Sequence, residues 1–452
     1  MCDECCHNIN VNLVNNAIKK LNKGKSDENY ELMTDHLINA PKVFNIYLSA
    51  TFNGMLIHGY CNQKFYRSVI KPIPKNKRKS LNDSTNYRAI SINSVYSKVF
   101  DYVILELIGP KLKTSEVQFA YKSEFSTTMC SFLVGETIQY FRNNGSSVFA
   151  LLLDASKAFD KVKYSKLFKI LRARDICPLI LRLLFSIYAL NSAIESWNNV
   201  KSTEFNVRNG VKQGGVISPH LFTVYVEPLI KNLRESRLGC HVGPLTSNAF
   251  MYADDIIILS PTLFALCKLV IICEDYAQEY LLAFNTDKCY LLIFSDNASY
   301  LTNRIEIRIN GVLIKIVDTE KHLGNNLTIK RKVFEFKDTI GDMKARTNSI
   351  VNNFSNISYS AKIMLFNSQC LALYGVQLWD LRDSDIEVLI VTWRKCVRYL
   401  LSLPYRTSSY LIPHIMNTCN ILDIIMERQM NFYITMYNHK SKFIHGHTGL
   451  GR

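Results

Sequence analysis

The chain has 452 residues, 48% hydrophobic and 20% charged, with a formal net charge of +16. That length and balance predict a folded protein of about two to four structural units and exclude a disordered chain. The positive excess favours a polyanionic partner, nucleic acid first and an acidic membrane surface second.

No apolar run approaches a membrane span; the best candidate, LFALCKLVIICEDYA, is short and interrupted by charge. The N-terminus, MCDECCHNINVN, lacks the apolar core of a secretory signal. With 13 scattered cysteines and no disulfide framework, a reduced, intracellular compartment is expected. Cys2, Cys5, Cys6 and His7 form at most half a metal site, because the next cysteine is Cys61. No structural zinc is expected. His445-Gly446-His447 reads as a solvated tail.

In chain order, residues 1–70 read as helical, with amphipathic pieces VNLVNNAIKKLNK and KVFNIYLSATFNGMLIHG. The basic segment KPIPKNKRKSLNDSTNYRAISI then predicts strand-loop-strand from its prolines and Asn/Asp/Ser cluster. Lys71, Lys75, Lys77, Arg78, Lys79 and Arg88 fall on or near that loop. A charge run is commonly a solvated loop; the functional alternative is a flap over a phosphate chain. VFALLL (148–153) fits a buried strand ending at Asp154, with a helix from about Ala158 through KLFKILRAR. In FNVRNGVKQGGVISPHLFTVYVEPLIKNL, Ser218 is a candidate N-cap with Pro219 at the first helical position. Gln213-Gly214-Gly215 precede that helix, and their glycines allow close backbone approach to a partner, or simply a turn.

AFMY and IIIL are both strand-like, with Ala253-Asp254-Asp255 between them, so a hairpin is predicted with the aspartates at the turn. A helix over about 262–283, a strand KCYLLIF and a hairpin RIEIRI–NG–VLIKIV follow. Asn310-Gly311 is a type I′ turn signal. From about 335 the chain reads helical.

Two adjacent carboxylates beside so apolar a run need a cation or a turn into solvent. If the strand ending at Asp154 neighbours the hairpin, three carboxylates converge. Oxygen donors without His or Cys select Mg²⁺, or Mn²⁺ in its place. Paired divalent ions about 3.5–4 Å apart serve phosphoryl and nucleotidyl transfer. The basic loop near Lys75 and Arg88 would then hold a triphosphate. An Asp pair alone is weak evidence. The ordered set is specific: strand-end Asp, Gln-Gly loop before a helix, Asp-Asp hairpin, then a strand-borne Lys, in a basic chain.

That set resembles the reverse transcriptase of non-LTR, LINE-like retrotransposons of the jockey type. The blocks run in family order: YRSVIKPIPK and NYRAISINSVYSKVFDYVIL, QFAYKSEFSTT, LLLDASKAFDKV, NGVKQGGVISPHLFTVYV, MYADDIIILS, NTDKCYLLIF and KHLGNNL, with a thumb-like tail LYGVQLWD…WRKCVRYLLSLP. The likeness covers about residues 10–410. It implies an α+β right-hand polymerase: fingers within 1–147, a palm with an antiparallel sheet over 148–330, and a helical thumb over 331–452. It implies an RNA template, a DNA primer, dNTPs and no membrane, with work in the nucleus. By resemblance, Asp154, Asp254 and Asp255 are metal-binding and catalytic, and Lys288 is a general acid near the leaving pyrophosphate. Phe159 gates the sugar, although core packing is the commoner fate of a Phe. Gln213 and Gly214 line the nucleotide and template base, Lys75 and Arg88 touch the triphosphate, and Tyr252 and Ala253 support the primer end, with packing alone an equal reading of that pair.

The chain also departs from the pattern. GKSDENYEL replaces a Gly-Pro-Asp-Gly-like turn, Ala89 replaces a proline, and Ala120 and Glu124 replace two glycines. At a position needing unusual φ/ψ such a change strains the template path. The chain is read as starting inside the fingers, without the endonuclease that complete elements carry. The rival expectation is therefore a truncated, inactive relic that still binds nucleic acid.

Overall fold

A computed structural model describes residues 8–27, 32–77, 79–198, 200–295, 305–330 and 332–448. The Cys2–His7 cluster, Arg78 and residues 28–31 of GKSDENYEL lie outside them. The fold is α+β, as expected.

In chain order the elements begin with α1 (Val11–Lys19), α2 (Thr34–Ile38), α3 (Lys42–His58), α4 (Gln63–Tyr66), β1 (Ser68–Pro74), β2 (Tyr87–Ile92) and α5 (Val95–Ile108). Next come α6 (Thr127–Asn143), β3 (Val148–Asp154), α7 (Tyr164–Arg172), α8 (Pro178–Ala189), β4 (Ser192–Trp197), β5 (Val200–Lys201), β6 (Phe205–Asn206) and α9 (Ser218–Glu235). Then follow β7 (His241–Val242), β8 (Leu245–Thr246), β9 (Ala249–Tyr252), β10 (Asp255–Ser260), α10 (Leu263–Tyr280) and β11 (Tyr290–Phe294). Short strands complete the β structure: β12 (Arg308–Ile309), β13 (Val312–Leu313), β14 (Lys315–Ile316), β15 (Thr319–His322), β16 (Asn325–Thr328) and β17 (Phe334–Glu335). The remainder is helical from Lys337 onward.

The chain divides into two compact units that interleave along the sequence. One comprises residues 1–121, 155–232 and 272–284; the other comprises 122–154, 233–271 and 285–452. In the first, β1 pairs antiparallel with β2 and parallel with β4, and β5 and β6 both pair with β4. This is the expected strand-loop-strand. Asp83 caps the connecting 3₁₀ turn by accepting from Thr85 N–H at 2.9 Å.

The second unit holds a sheet in the order β14-β11-β3-β10-β9. Central β3 is buried through Val148–Leu153, and this explains its unbroken apolar run: both faces of a central strand are covered. Burying each Leu or Val fully stabilises the sheet by about 1.5–3 kcal/mol. The later helices close on their own core, where Trp393 and Leu389 are buried and Phe336 stacks on Trp379 at 4.2 Å.

Several boundaries differ from expectation. No continuous helix starts at Ala158. A 3₁₀ turn, Ala158–Lys161, is separated from α7 by extended Val162 and Lys163. Helix α9 begins at Ser218 itself, one residue before the predicted start. Lys288 sits on a 3₁₀ turn, Thr286–Lys288, ahead of β11 rather than on the strand. The Asn310-Gly311 turn has both φ positive (49° and 79°), as type I′ requires, but joins strands of only two residues.

His447 is not in a solvated tail. It is buried on the helix Lys442–Thr448, with Nε2 2.8 Å from Ser247 Oγ and Nδ1 2.8 Å from the Phe443 carbonyl. The cysteines among the described residues are free thiols, and no helix there is long and apolar enough to cross a membrane.

Candidate active site

The carboxylates belong to the second unit. Antiparallel pairing of β3 with β10 sets Asp154 directly opposite Asp255, with Leu153 against Ile256 behind them. Cross-strand neighbours have Cβ atoms about 4.5–5.5 Å apart, and like charges so placed repel. Side-chain packing on both covered faces of β3 fixes this register, since a slip of one residue would exchange the side chains packed on one face for those of the other.

Asp255 also pairs with Tyr252 across β9–β10, leaving Ala253 and Asp254 as a two-residue turn. Ala253 has φ +58°, a region that favours glycine; holding an L-residue there costs about 1–2 kcal/mol.

Asp255 reaches solvent, yet its carboxyl is pushed up to about 6, first by partial burial and then by the charges of Asp254 and Asp154. Lys288 pulls the other way. The Lys288 ammonium lies 3.3 Å from Asp154 Oδ2, and the Asp154 carbonyl accepts from Asn285 N–H at 2.8 Å. The structure therefore joins Asp154, Asp255 and Lys288 in one electrostatic cluster, with Asp254 on the turn beside them. It does not draw the three aspartates into a preformed cage: among the described residues no group of three His, Cys, Asp or Glu is close enough to hold an ion. Lys288 offsets part of the negative charge at both Asp154 and Asp255. All-oxygen donors with an excess of negative charge still fit a hard divalent cation.

Tyr252 is half-buried, and burial pushes its phenol up, with Tyr374 and Cys130 contributing further. Tyr374 donates to the Leu323 carbonyl at 2.9 Å and lies 2.9 Å from Thr127 Oγ1. It thus ties the β15–β16 turn of KHLGNNL to the start of α6, a tie between segments far apart in sequence.

The nucleotide-site candidates belong to the first unit. The Gln213 carbonyl accepts from Ser91 N–H at 2.7 Å, and its side chain donates to Asp160 at 3.3 Å. Gly214 has φ +106°, and a Cβ there would lie 2.8 Å from the Ser91 carbonyl oxygen. Only glycine fits that slot. Phe159 is half-buried with its ring stacked on Phe222 at 4.5 Å, and its carbonyl accepts from Val211 N–H at 2.8 Å. Lys75 is exposed, its ammonium 2.9 Å from the Thr85 carbonyl; Arg88 is exposed on β2 opposite Ile73.

Two groups escaped the sequence reading. Asp160 accepts from Gln213 and feels the charges of Lys157 and Lys75, so it gathers two of these candidates, Gln213 and Lys75; burial raises its carboxyl. Asp101 and Lys212 form a second focus. Burial pushes the Asp101 carboxyl up and the Lys212 ammonium down, and each charge opposes the shift of the other. The available signal was an Asp inside the apolar helix VFDYVIL.

The replaced glycines behave differently. Glu124 has φ +69°, so that position does demand the left-handed region; Ala120 is buried and does not.

Comparison with protein families matches residues 73–305 to reverse transcriptase (RNA-dependent DNA polymerase). Among curated proteins, the chain is 24% identical over 254 residues to the Retrovirus-related Pol polyprotein from type-2 retrotransposable element R2DM of Drosophila melanogaster, covering 55% of this chain and 24% of that protein. It is 23% identical to the RNA-directed DNA polymerase from mobile element jockey of Drosophila melanogaster (79% of this chain, 40% of that one). It is 22% identical to the probable RNA-directed DNA polymerase from transposon X-element of the same organism (89% and 45%). The chain thus spans less than half the length of these relatives. Among solved structures, telomerase from Candida albicans aligns with TM-score 0.46 and 10% identity over 84% of this chain and 69% of that one.

Proposed function

The chain belongs to the reverse transcriptase (RNA-dependent DNA polymerase) family, and from that premise we propose that it is the RNA-directed DNA polymerase of a non-LTR retrotransposon. The observation that carries the proposal is Asp154 set opposite Asp255, with Lys288 against the first. Strand-end carboxylates beside a basic group suit transfer between phosphates, where positioning and charge neutralisation supply most of the acceleration.

In this reading 148–330 is the palm, 1–147 contains the fingers and 331–452 the thumb and following region. Asp154 and Asp254 would be the principal holders of divalent ions, Mg²⁺ or Mn²⁺, with Asp255 as third carboxylate. Such ions, when bound, supply activation of the attacking oxygen and neutralisation of the phosphates. Asp154 and Asp255 give up their mutual repulsion on loading. Lys288 would turn from Asp154 to the leaving pyrophosphate and donate a proton there. Gln213 and Gly214 bear on the incoming dNTP, the Phe159 ring on its sugar, and Lys75 and Arg88 on its triphosphate. Tyr252 and Ala253 support the primer end. The bond formed joins the primer 3′-oxygen to the α-phosphorus of the dNTP; the bond broken releases pyrophosphate. Nuclear action follows from the family resemblance.

A non-catalytic relic is the second reading, favoured by the strained Glu124. Primer extension on an annealed RNA template, with and without Mg²⁺ or Mn²⁺, decides. Metal-dependent synthesis is expected, lost in Asp254→Asn with primer-template binding retained. Synthesis by that variant would refute the role of Asp254. Salt-sensitive binding without synthesis by the wild type would establish the relic.

A further inference from the structure

The loop that carries Gln213 and Gly214 stands on buried charge. Asp101, on α5, is 4% exposed. Its carboxylate accepts from the backbone N–H groups of Val216 and Ile217 and from the Tyr66 hydroxyl at 3.3 Å. Half-buried Lys212 donates to the Tyr66 carbonyl, with its ammonium 5.4 Å from the Tyr66 ring centroid. Tyr66 therefore bridges the two charges, its carbonyl facing the cation and its hydroxyl facing the anion. The loop is tied at both ends, at residue 212 through Lys212 and at 216–217 through Asp101. Between these ends Ser91 N–H holds the Gln213 carbonyl, and the Ser91 oxygen walls off Gly214.

Removing two charges from water is costly, and an apolar pair of similar size would fill the same space without that cost. Such a pair would leave the Val216 and Ile217 amides without their acceptor and the loop with one tie fewer at each end. What the charges add is a defined position for the segment between them.

We propose that Asp101 and Lys212, bridged by Tyr66, are positioning residues that hold the Gln213-Gly214 loop in the geometry that admits a nucleoside triphosphate. This deepens the reverse-transcriptase reading and rests on it for the identity of the ligand. Neither side chain touches substrate; both act through the backbone of residues 213–217.

The test pairs steady-state extension with hydrogen exchange of the loop amides. Asp101→Asn and Lys212→Met should raise the KM for dNTP about tenfold with kcat and primer-template affinity little changed. Lys212→Arg, which keeps the charge, should recover most of the loss. In Asp101→Asn the Val216 and Ile217 amides should exchange faster while the β1–β2 amides stay protected. Should a single variant fail to fold, the double Asp101→Leu/Lys212→Met variant removes both charges at once. It should fold with fast-exchanging loop amides and a raised KM. Wild-type protection of 216–217 in any folded variant lacking the Asp101 carboxylate overturns the proposal, as does loss of kcat at unchanged KM. A wild type that makes no DNA refutes the polymerase reading alone, because the exchange measurement still decides whether the pair fixes the loop.

Discussion

Gly214→Ala probes the Gln213-Gly214 loop with the least chemistry. An alanine at φ +106° costs at least the 1–2 kcal/mol of a left-handed L-residue, to order of magnitude. The added Cβ would meet the Ser91 oxygen at 2.8 Å, so one of them must retreat by about half an ångström to reach ordinary contact. That oxygen is backbone. Ser91 is paired with Ile70 across β1–β2, and its own N–H binds the Gln213 carbonyl. The loop is therefore the element that yields, and a combined penalty of about 2–4 kcal/mol goes into displacing Gln213. If that displacement is felt by the incoming nucleotide, KM for dNTP rises on the order of ten- to a hundredfold. The assay is steady-state extension on a primed RNA template, alongside melting temperature. Gly145→Ala is the control: φ there is +70°, but nothing lies within 4 Å of its Cβ, so it isolates the backbone cost. Equal KM values for the two variants would refute the argument that the Ser91 wall sets the nucleotide site.

Three further outcomes are expected. Leu151→Ala, at the centre of β3 between Ile258 and Leu291, should destabilise the fold by about 3 kcal/mol in a denaturant titration, and a cost under about 1 kcal/mol would contradict its buried placement. Burial holds the pKa of the His322 ring down to about 4, so the unfolded chain takes up a proton first as pH falls. The His322 contribution to stability should be full above about pH 6.5 and fall by about 3 kcal/mol on the way to pH 4, and His322→Gln should flatten the measured slope by that amount. Millimolar Mg²⁺ should raise apparent stability, by about 2–3 kcal/mol at a hundredfold excess over Kd, and a double Asp154→Asn/Asp255→Asn variant should lose that gain. An equal gain in the variant would place the ion elsewhere.

Some of this molecule is local and was legible in the residues. The β9–β10 hairpin follows from two apolar runs flanking Ala253-Asp254, and the type I′ turn follows from Asn310-Gly311. The strand-loop-strand of β1 and β2 follows from the Pro and Asn/Asp/Ser cluster. Each depends on backbone preferences within a few residues. The candidate acidic residues were legible too, because carboxylates beside buried strands are rare without a use.

Tertiary structure decided what no short window contains. The residue facing Asp154 depends on the register of two strands about 100 residues apart, set by packing on both faces of β3. Lys288 reaches Asp154 because the chain turns just before β11, and His447 is buried because its helix packs against Ser247 and Phe250. The demand for a left-handed backbone survives at Glu124 but not at Ala120, a difference residue identity does not carry. Asp101 looked like one polar interruption in an apolar helix. Its partners, Tyr66, Lys212 and two loop amides, come from other parts of the chain, and only folding brings them to it. The sequence alone determined the chemistry available and the local shapes that present it. The fold decided which charges meet, because a charge's energy depends on its neighbours in space and on how much water remains between them.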